Sequence, residues 1–136
     1  MMTILLDLYD RADPVSNMIA LYTLQPTCVY YVGEIGALRA SSRQEALKRA
    51  AAVLSPDTVV DFILVNPYRY EQILSAICNL REQYGIEALV ADLTGGQEIL
   101  LFQMGRICGQ MGKPPCDFSN APVPRSESEP RNRDSR

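Results

Sequence analysis

Ile86-Glu87-Ala88-Leu89-Val90-Ala91-Asp92-Leu93-Thr94-Gly95-Gly96-Gln97 is the stretch that decides the fold. Its first seven residues form a short apolar run of the kind buried in a parallel sheet. Thr94-Gly95-Gly96 then turns the chain, and an apolar pattern at helical spacing follows through Ile99, Leu100, Phe102, Met104 and Ile107. A strand entering a helix through a tight glycine turn is the unit of an α/β domain. In such domains that turn lies at the carboxyl end of the sheet, where ligands bind.

The same alternation recurs upstream. Thr3–Tyr9 reads as a first strand, buried on both faces apart from Asp7. Asp13-Pro14 reads as a cap and first turn for a helix carrying Val15, Met18, Ile19, Leu21 and Tyr22. Thr27–Val32 is a second strand, ended by Gly33. Ser42-Arg43-Gln44-Glu45 has the form of a capping box ahead of an alanine-rich helix to about Leu54. Thr58–Val65 is a third strand, and Asn66-Pro67 repeats the cap-then-proline pattern. The next helix carries Ile73, Leu74, Ile77 and Leu80, and Gly85 stops it. A fourth helix is expected from Thr94 to about Met111. The pattern predicts a Rossmann-like, three-layer αβα fold with a mainly parallel sheet over residues 1–112. No apolar strand follows Gly112, so the sheet is expected to be truncated after the fourth helix, with an open edge. Residues 113–136, rich in Pro, Ser and Arg, are expected to be a disordered tail.

Composition narrows the function classes. The 136 residues suit one domain, 47% of them are apolar, and the net charge is −3. A duplex-coating protein carries excess basic charge, so binding of long nucleic acid is not expected. No apolar run approaches a membrane span, and Met1–Leu8 lacks a basic leader, which predicts a cytoplasmic protein. The chain has no histidine, which removes the commonest general acid–base group. Cys28, Cys78, Cys108 and Cys116 form no CxxC pair; no metal site or cofactor is expected, and the first three read as buried thiols.

The candidate ligand loops are those after each strand. Gly95 and Gly96 permit close backbone approach, Thr94 supplies a hydroxyl, and the helix behind them points unpaired N–H groups outward. A phosphate fits such a turn without a lysine, and the same residues fit an ordinary capping box of Thr94 with Gln97. The turn has neither the GxxxxGK[ST] nor the GxGxxG pattern. Asp10 and Arg11 follow the first strand, where Arg11 can pair a phosphate. Asp7 and Asp61 are mid-strand, which favours edge exposure or a structural hydrogen bond over a metal triad. Tyr30 and Tyr31 face opposite sides of their strand and read as core; Gly105 and Gly109 read as a close-packing helix face.

Asp92-Leu93-Thr94-Gly95-Gly96 after an apolar strand resembles the DLTGGT-type turn of CARF domains, the ligand sensors of type III CRISPR systems. Met2–Asp10, Asp13–Ala20 and Pro26–Gly33 are similar to the start of the CARF-plus-nuclease effectors of that group. The resemblance covers about residues 2–112. It implies a homodimer with a cyclic oligoadenylate, most often the tetra-adenylate ring, across its two-fold axis. It also implies that Thr94, Gly95, Gly96 and Gln97 cradle the ring, with Asp10, Arg11 and Asn17 lining the same face. Two departures bear on activity. Gln97-Glu98 stands where members often carry Thr-Lys, and no counterpart of the nuclease domain is present, so no catalytic residue is assigned. The alternatives are a ring nuclease working through in-line attack of a ribose 2′-OH, with Arg11 as its cation, and a dimerising remnant without activity.

Overall fold

The computed structural model describes residues 2–12 and 14–111. The expected cap Asp13 and the expected tail lie outside the described residues. The elements run β1 (Ile4–Leu8), α1 (Pro14–Leu24), β2 (Cys28–Glu34), α2 (Ile35–Leu38), α3 (Ser41–Leu54), β3 (Val59–Val65), α4 (Tyr70–Tyr84), β4 (Leu89–Asp92) and α5 (Glu98–Met111). Every strand pairing is parallel, in the order β3-β2-β1-β4. This is the Rossmann-like α/β architecture the alternation predicts.

The order fixes the layers. The chain steps from β1 to β2 to β3 in one direction, then returns past β1 to β4 in the other. With crossovers of constant hand, the outward helices must cover one face and the return helix the opposite face. That is what is found. Leu5, Val29 and Tyr31 pack with Ala20 and Leu21 of α1 and with Leu47 and Ala51 of α3. Ile4, Leu6 and Leu8 pack on the other face with Ile73 and Ile77 of α4 and with Leu100, Met104 and Ile107 of α5. The central strand β1 is buried along its whole length. On α4, Ile73, Ile77 and Leu80 recur at helical spacing; each such side chain stabilises the fold by about 1.5–3 kcal/mol when buried. Tyr70 of α4 donates its hydroxyl to Gln110 Oε1 of α5, and the Arg106 guanidinium lies 3.9 Å from the Tyr70 ring centroid.

Several local expectations change. Asp7 is buried, not the solvent-facing exception in β1. Gly33 does not end β2; the strand continues to Glu34 and runs directly into α2, a single helical turn. Helix α3 begins at Ser41 behind Ala40, with no side-chain cap, so Ser42–Glu45 lies inside the helix and forms no capping box. Asn66 caps no helix either. Its Oδ1 accepts from the Tyr68 N–H at 3.0 Å, a side-chain-closed turn, and α4 starts only at Tyr70. Ile86–Ala88 is a 3-10 turn ahead of β4, not its first half. Gly85 does end α4, at φ +89°. Cys28 and Cys108 are buried as expected, and Cys78 is half-buried.

β3 and β4 are the two edge strands of the sheet. On α1, which has no charged residue, Val15, Met18, Ile19 and Tyr22 form an i, i+3, i+4, i+7 stripe that faces outward at 39–65% exposure. No helix among the described residues is long and apolar enough to cross a membrane.

Candidate functional site

The strand order reverses between β1 and β4. In open parallel sheets the loops that diverge at such a reversal leave a crevice at the carboxyl ends of the strands. The loop after β1 and the turn after β4 therefore face each other across this point. A cleft of about 520 Å³ opens there. Tyr9, Asp10, Arg11 and Ala12 line it from the β1 side, Glu34 and Ala37 from the end of β2, and Gln97 and Leu100 from the start of α5.

The β1–α1 loop is held by Asn17. This side chain is 1% exposed. Its Nδ2 donates to Asp7 Oδ1 at 2.8 Å and to the Leu8 carbonyl at 2.9 Å, while its Oδ1 accepts from the Asp10 N–H at 3.2 Å. Asp10 Oδ1 in turn accepts from the Ala12 N–H at 2.9 Å and tightens the loop. Arg11 is left exposed at the cleft wall.

The β4–α5 turn is held by Asp92. Its Oδ1 accepts from the Thr94 hydroxyl at 2.7 Å and from the Thr94 N–H at 3.1 Å. The alternative reading, Thr94 as N-cap of a capping box with Gln97, does not fit, because Thr94 lies four residues ahead of the first helical residue and its hydroxyl donates to Asp92. The helix starts four residues later than expected, at Glu98, and its first intrahelical acceptor is the Gln97 carbonyl, bonded by the Leu101 N–H at 2.9 Å. By α-helical geometry the earlier N–H groups of α5 have no intrahelical acceptor, and they carry the positive end of the dipole at the cleft.

The two glycines are demanded by packing. Gly96 has φ +99°, and a Cβ there would lie 2.8 Å from the Leu8 Cβ. A Cβ on Gly95 would lie 2.6 Å from Ser16 Oγ and 3.6 Å from the Asp10 Cβ. The turn thus rests directly on the end of β1 and the start of α1. Side chains at either position would push the cleft walls apart.

Of the seven candidate residues, Asp10, Arg11 and Gln97 line the cleft. Thr94, Gly95 and Gly96 are half-buried in the adjoining turn and do not line the cleft, and the amide of Asn17 is engaged inside the protein. Tyr9, Glu34, Ala37 and Leu100 line the cleft without having been singled out. The helical periodicity around Leu100 marks it as core, and nothing local in the sequence announces Glu34, which reaches the site because β2 lies beside β1. Tyr9 also receives Arg43 Nη1 of α3 on its hydroxyl at 2.8 Å. Tyr30 and Tyr31 do pack in the core: Tyr30 pairs its hydroxyl with that of Tyr84 at 3.1 Å, and Tyr31 stacks on Phe62 with centroids 6.1 Å apart. Asp61 lies exposed on the edge strand β3. Among the described residues, no group of three or more His, Cys, Asp or Glu side chains could hold a metal ion. The cleft can receive an anion on the α5 terminus and Arg11, with Asp10 and Glu34 placed to accept hydroxyl or amino donors.

No family model matches the sequence, and no curated protein does. The fold is similar to that of Can2 from Sulfobacillus thermosulfidooxidans, solved in complex with cyclic tetra-adenylate, with a TM-score of 0.63 and 19% sequence identity. The match covers 82% of this chain and 30% of that one, so the chain spans less than a third of Can2's length. The likeness is one of fold: the parallel β3-β2-β1-β4 sheet and its two helical layers form a Rossmann-type α/β domain.

Proposed function

We propose that this chain is a sensor module that binds a cyclic oligoadenylate, the tetra-adenylate ring first among them, at the cleft between the β1–α1 loop and the β4–α5 turn. The observation that carries the reading is the position of that cleft. It opens at the reversal of strand order in a fold shared with a protein solved with cyclic tetra-adenylate. A ring of repeated nucleotides suits two copies of one cleft related by a two-fold axis. The outward apolar stripe of α1 and the open β4 edge support a homodimer, since either can be covered by a second copy. In this reading Arg11 and the α5 terminus meet phosphate, and Asp10, Glu34 and Gln97 meet ribose or base edges.

Titration calorimetry with cyclic tetra-adenylate is the test. Submillimolar binding at one ring per two chains is expected. No heat, together with no thermal shift, overturns the proposal. Arg11 on the cleft wall favours a second reading, ring cleavage by positioned attack of a ribose 2′-OH. Chromatography of the ring after incubation decides it: linear products establish cleavage, and an intact ring leaves sensing alone.

A further inference from the structure

Beneath the cleft two carboxyls lie side by side. Asp7 and Asp92 are Cα partners across the parallel β1–β4 pairing, so their side chains leave the sheet on one face. Each is 1% exposed. Each gives one oxygen to a different wall of the cleft. Asp7 Oδ1 holds Asn17, which holds the Leu8 carbonyl and the Asp10 N–H. Asp92 Oδ1 holds both donors of Thr94. The remaining oxygen of each, Oδ2, receives no donor among the described residues. Two ionised carboxylates in contact inside a dry site repel, and each unpaired buried charge costs several kcal/mol even after relaxation. One proton between them removes both penalties at once.

We propose that Asp7 and Asp92 share a single proton, Asp7 serving as the acid, and that this bridge ties the β1–α1 loop to the β4–α5 turn across the strand-order reversal. Both are positioning residues for the cleft. Burial first, then the neighbouring Asp92 charge and hydrogen bond, push the Asp7 carboxyl well above the usual range; the Asn17 amide opposes this and does not win.

The groups around the pair supply no competing charge. From β2, Tyr31 is the Cα partner of Asp7, and burial, the larger cause, pushes its phenol up and keeps it neutral. From α1 comes Asn17 and from the turn Thr94, both uncharged. From α3, Arg43 bonds the Tyr9 hydroxyl. Among the described residues the ion pair is Lys48 with Glu45, within α3 and with both side chains exposed to solvent.

The sign of the pH dependence follows. The unfolded chain releases the Asp7 proton near pH ~4, whereas the folded chain keeps it at higher pH. Between those two values the folded state binds one proton more, so stability falls as pH rises and levels off once the bridge has lost its proton. The inference concerns the floor of the cleft and not its ligand, and the readouts need no ligand, so either proposal can fail without the other.

The test is a carboxyl-carbon NMR titration of the chain, combined with urea unfolding across pH for wild type and Asp7→Asn. Asp7 is expected to titrate well above the ordinary carboxylate range. The Asn variant, whose amide supplies an N–H to Asp92, is expected to fold and to lose the pH slope; relative to it, the wild-type unfolding constant should rise up to about tenfold per pH unit above pH ~5. An Asp7 midpoint in the ordinary carboxylate range overturns the proposal, and so do equal slopes for the two proteins. Stabilisation of wild type but not Asp7→Asn by millimolar Mg²⁺ also overturns it, since a cation would then form the bridge. If the variant does not fold, the wild-type carboxyl titration decides alone.

Discussion

Gly96→Ala probes the β4–α5 turn beside the cleft most sharply. The wild-type residue sits at φ +99°, and the new methyl would lie 2.8 Å from the Leu8 Cβ and 3.4 Å from its Cδ1. Leu8 is fully buried in the central strand and cannot step aside. A non-glycine residue held at positive φ costs ~1–3 kcal/mol. Overpacking a rigid neighbour costs a further ~1–3 kcal/mol. Reduced freedom of the unfolded chain offsets ~0.4–1 kcal/mol of this. The net loss is about 2–5 kcal/mol, a large share of the ~5–15 kcal/mol that stabilises a typical domain. Gly85→Ala is the internal control, with φ +89° and nothing within 4 Å of its methyl, so only the backbone cost applies. Urea unfolding at pH 7 should lower the midpoint far more for Gly96→Ala than for Gly85→Ala, at unchanged m. Equal midpoints for the two variants would refute the claim that the β4–α5 turn rests on Leu8.

Further substitutions separate the parts of the site. Gly95→Ala should destabilise by about 1 kcal/mol through Ser16 Oγ, 2.6 Å from the new methyl, and most of that should return in a Ser16→Ala background, as a double-mutant cycle would show. Asn17→Ala strips partners from Asp7 Oδ1, the Leu8 carbonyl and the Asp10 N–H. With buried groups left unsatisfied, it should cost roughly 2–4 kcal/mol by the same unfolding assay. Arg11→Ala touches an exposed side chain, so stability should stay within ~0.5 kcal/mol of wild type. Its affinity for cyclic tetra-adenylate should nevertheless fall about tenfold in calorimetry, the size expected for one lost charged hydrogen bond.

The strands were legible because each is a short apolar run bounded by turn residues, and a parallel sheet buries both faces of such runs. The β4–α5 turn stood out because adjacent glycines between a strand and a helix have few other uses. The caps were misread for a local reason. Ser42 and Asn66 have the right side chains, but α3 starts two residues early behind Ala40, and Asn66 closes its own turn through Tyr68. Asp7 and Asp92 were the least legible. They lie 85 positions apart, and only the pairing of β1 with β4 brings them together. Asn17 shows the limit from the other side. Its place on α1 beside the ligand loop was readable, whereas the direction of its amide, into Asp7 and not into the cleft, follows from a burial that helical spacing alone does not specify.

The central claim is that the cleft at the strand-order reversal is a cyclic oligoadenylate site. An amide NMR titration of the ¹⁵N-labelled chain with cyclic tetra-adenylate tests it most directly. The account predicts saturable shifts concentrated at residues 9–12, at Glu34–Ala37 and at residues 93–100, reaching saturation at one ring per two chains. Shifts confined to the opposite, amino-terminal ends of the strands, or none at millimolar ring, would contradict it.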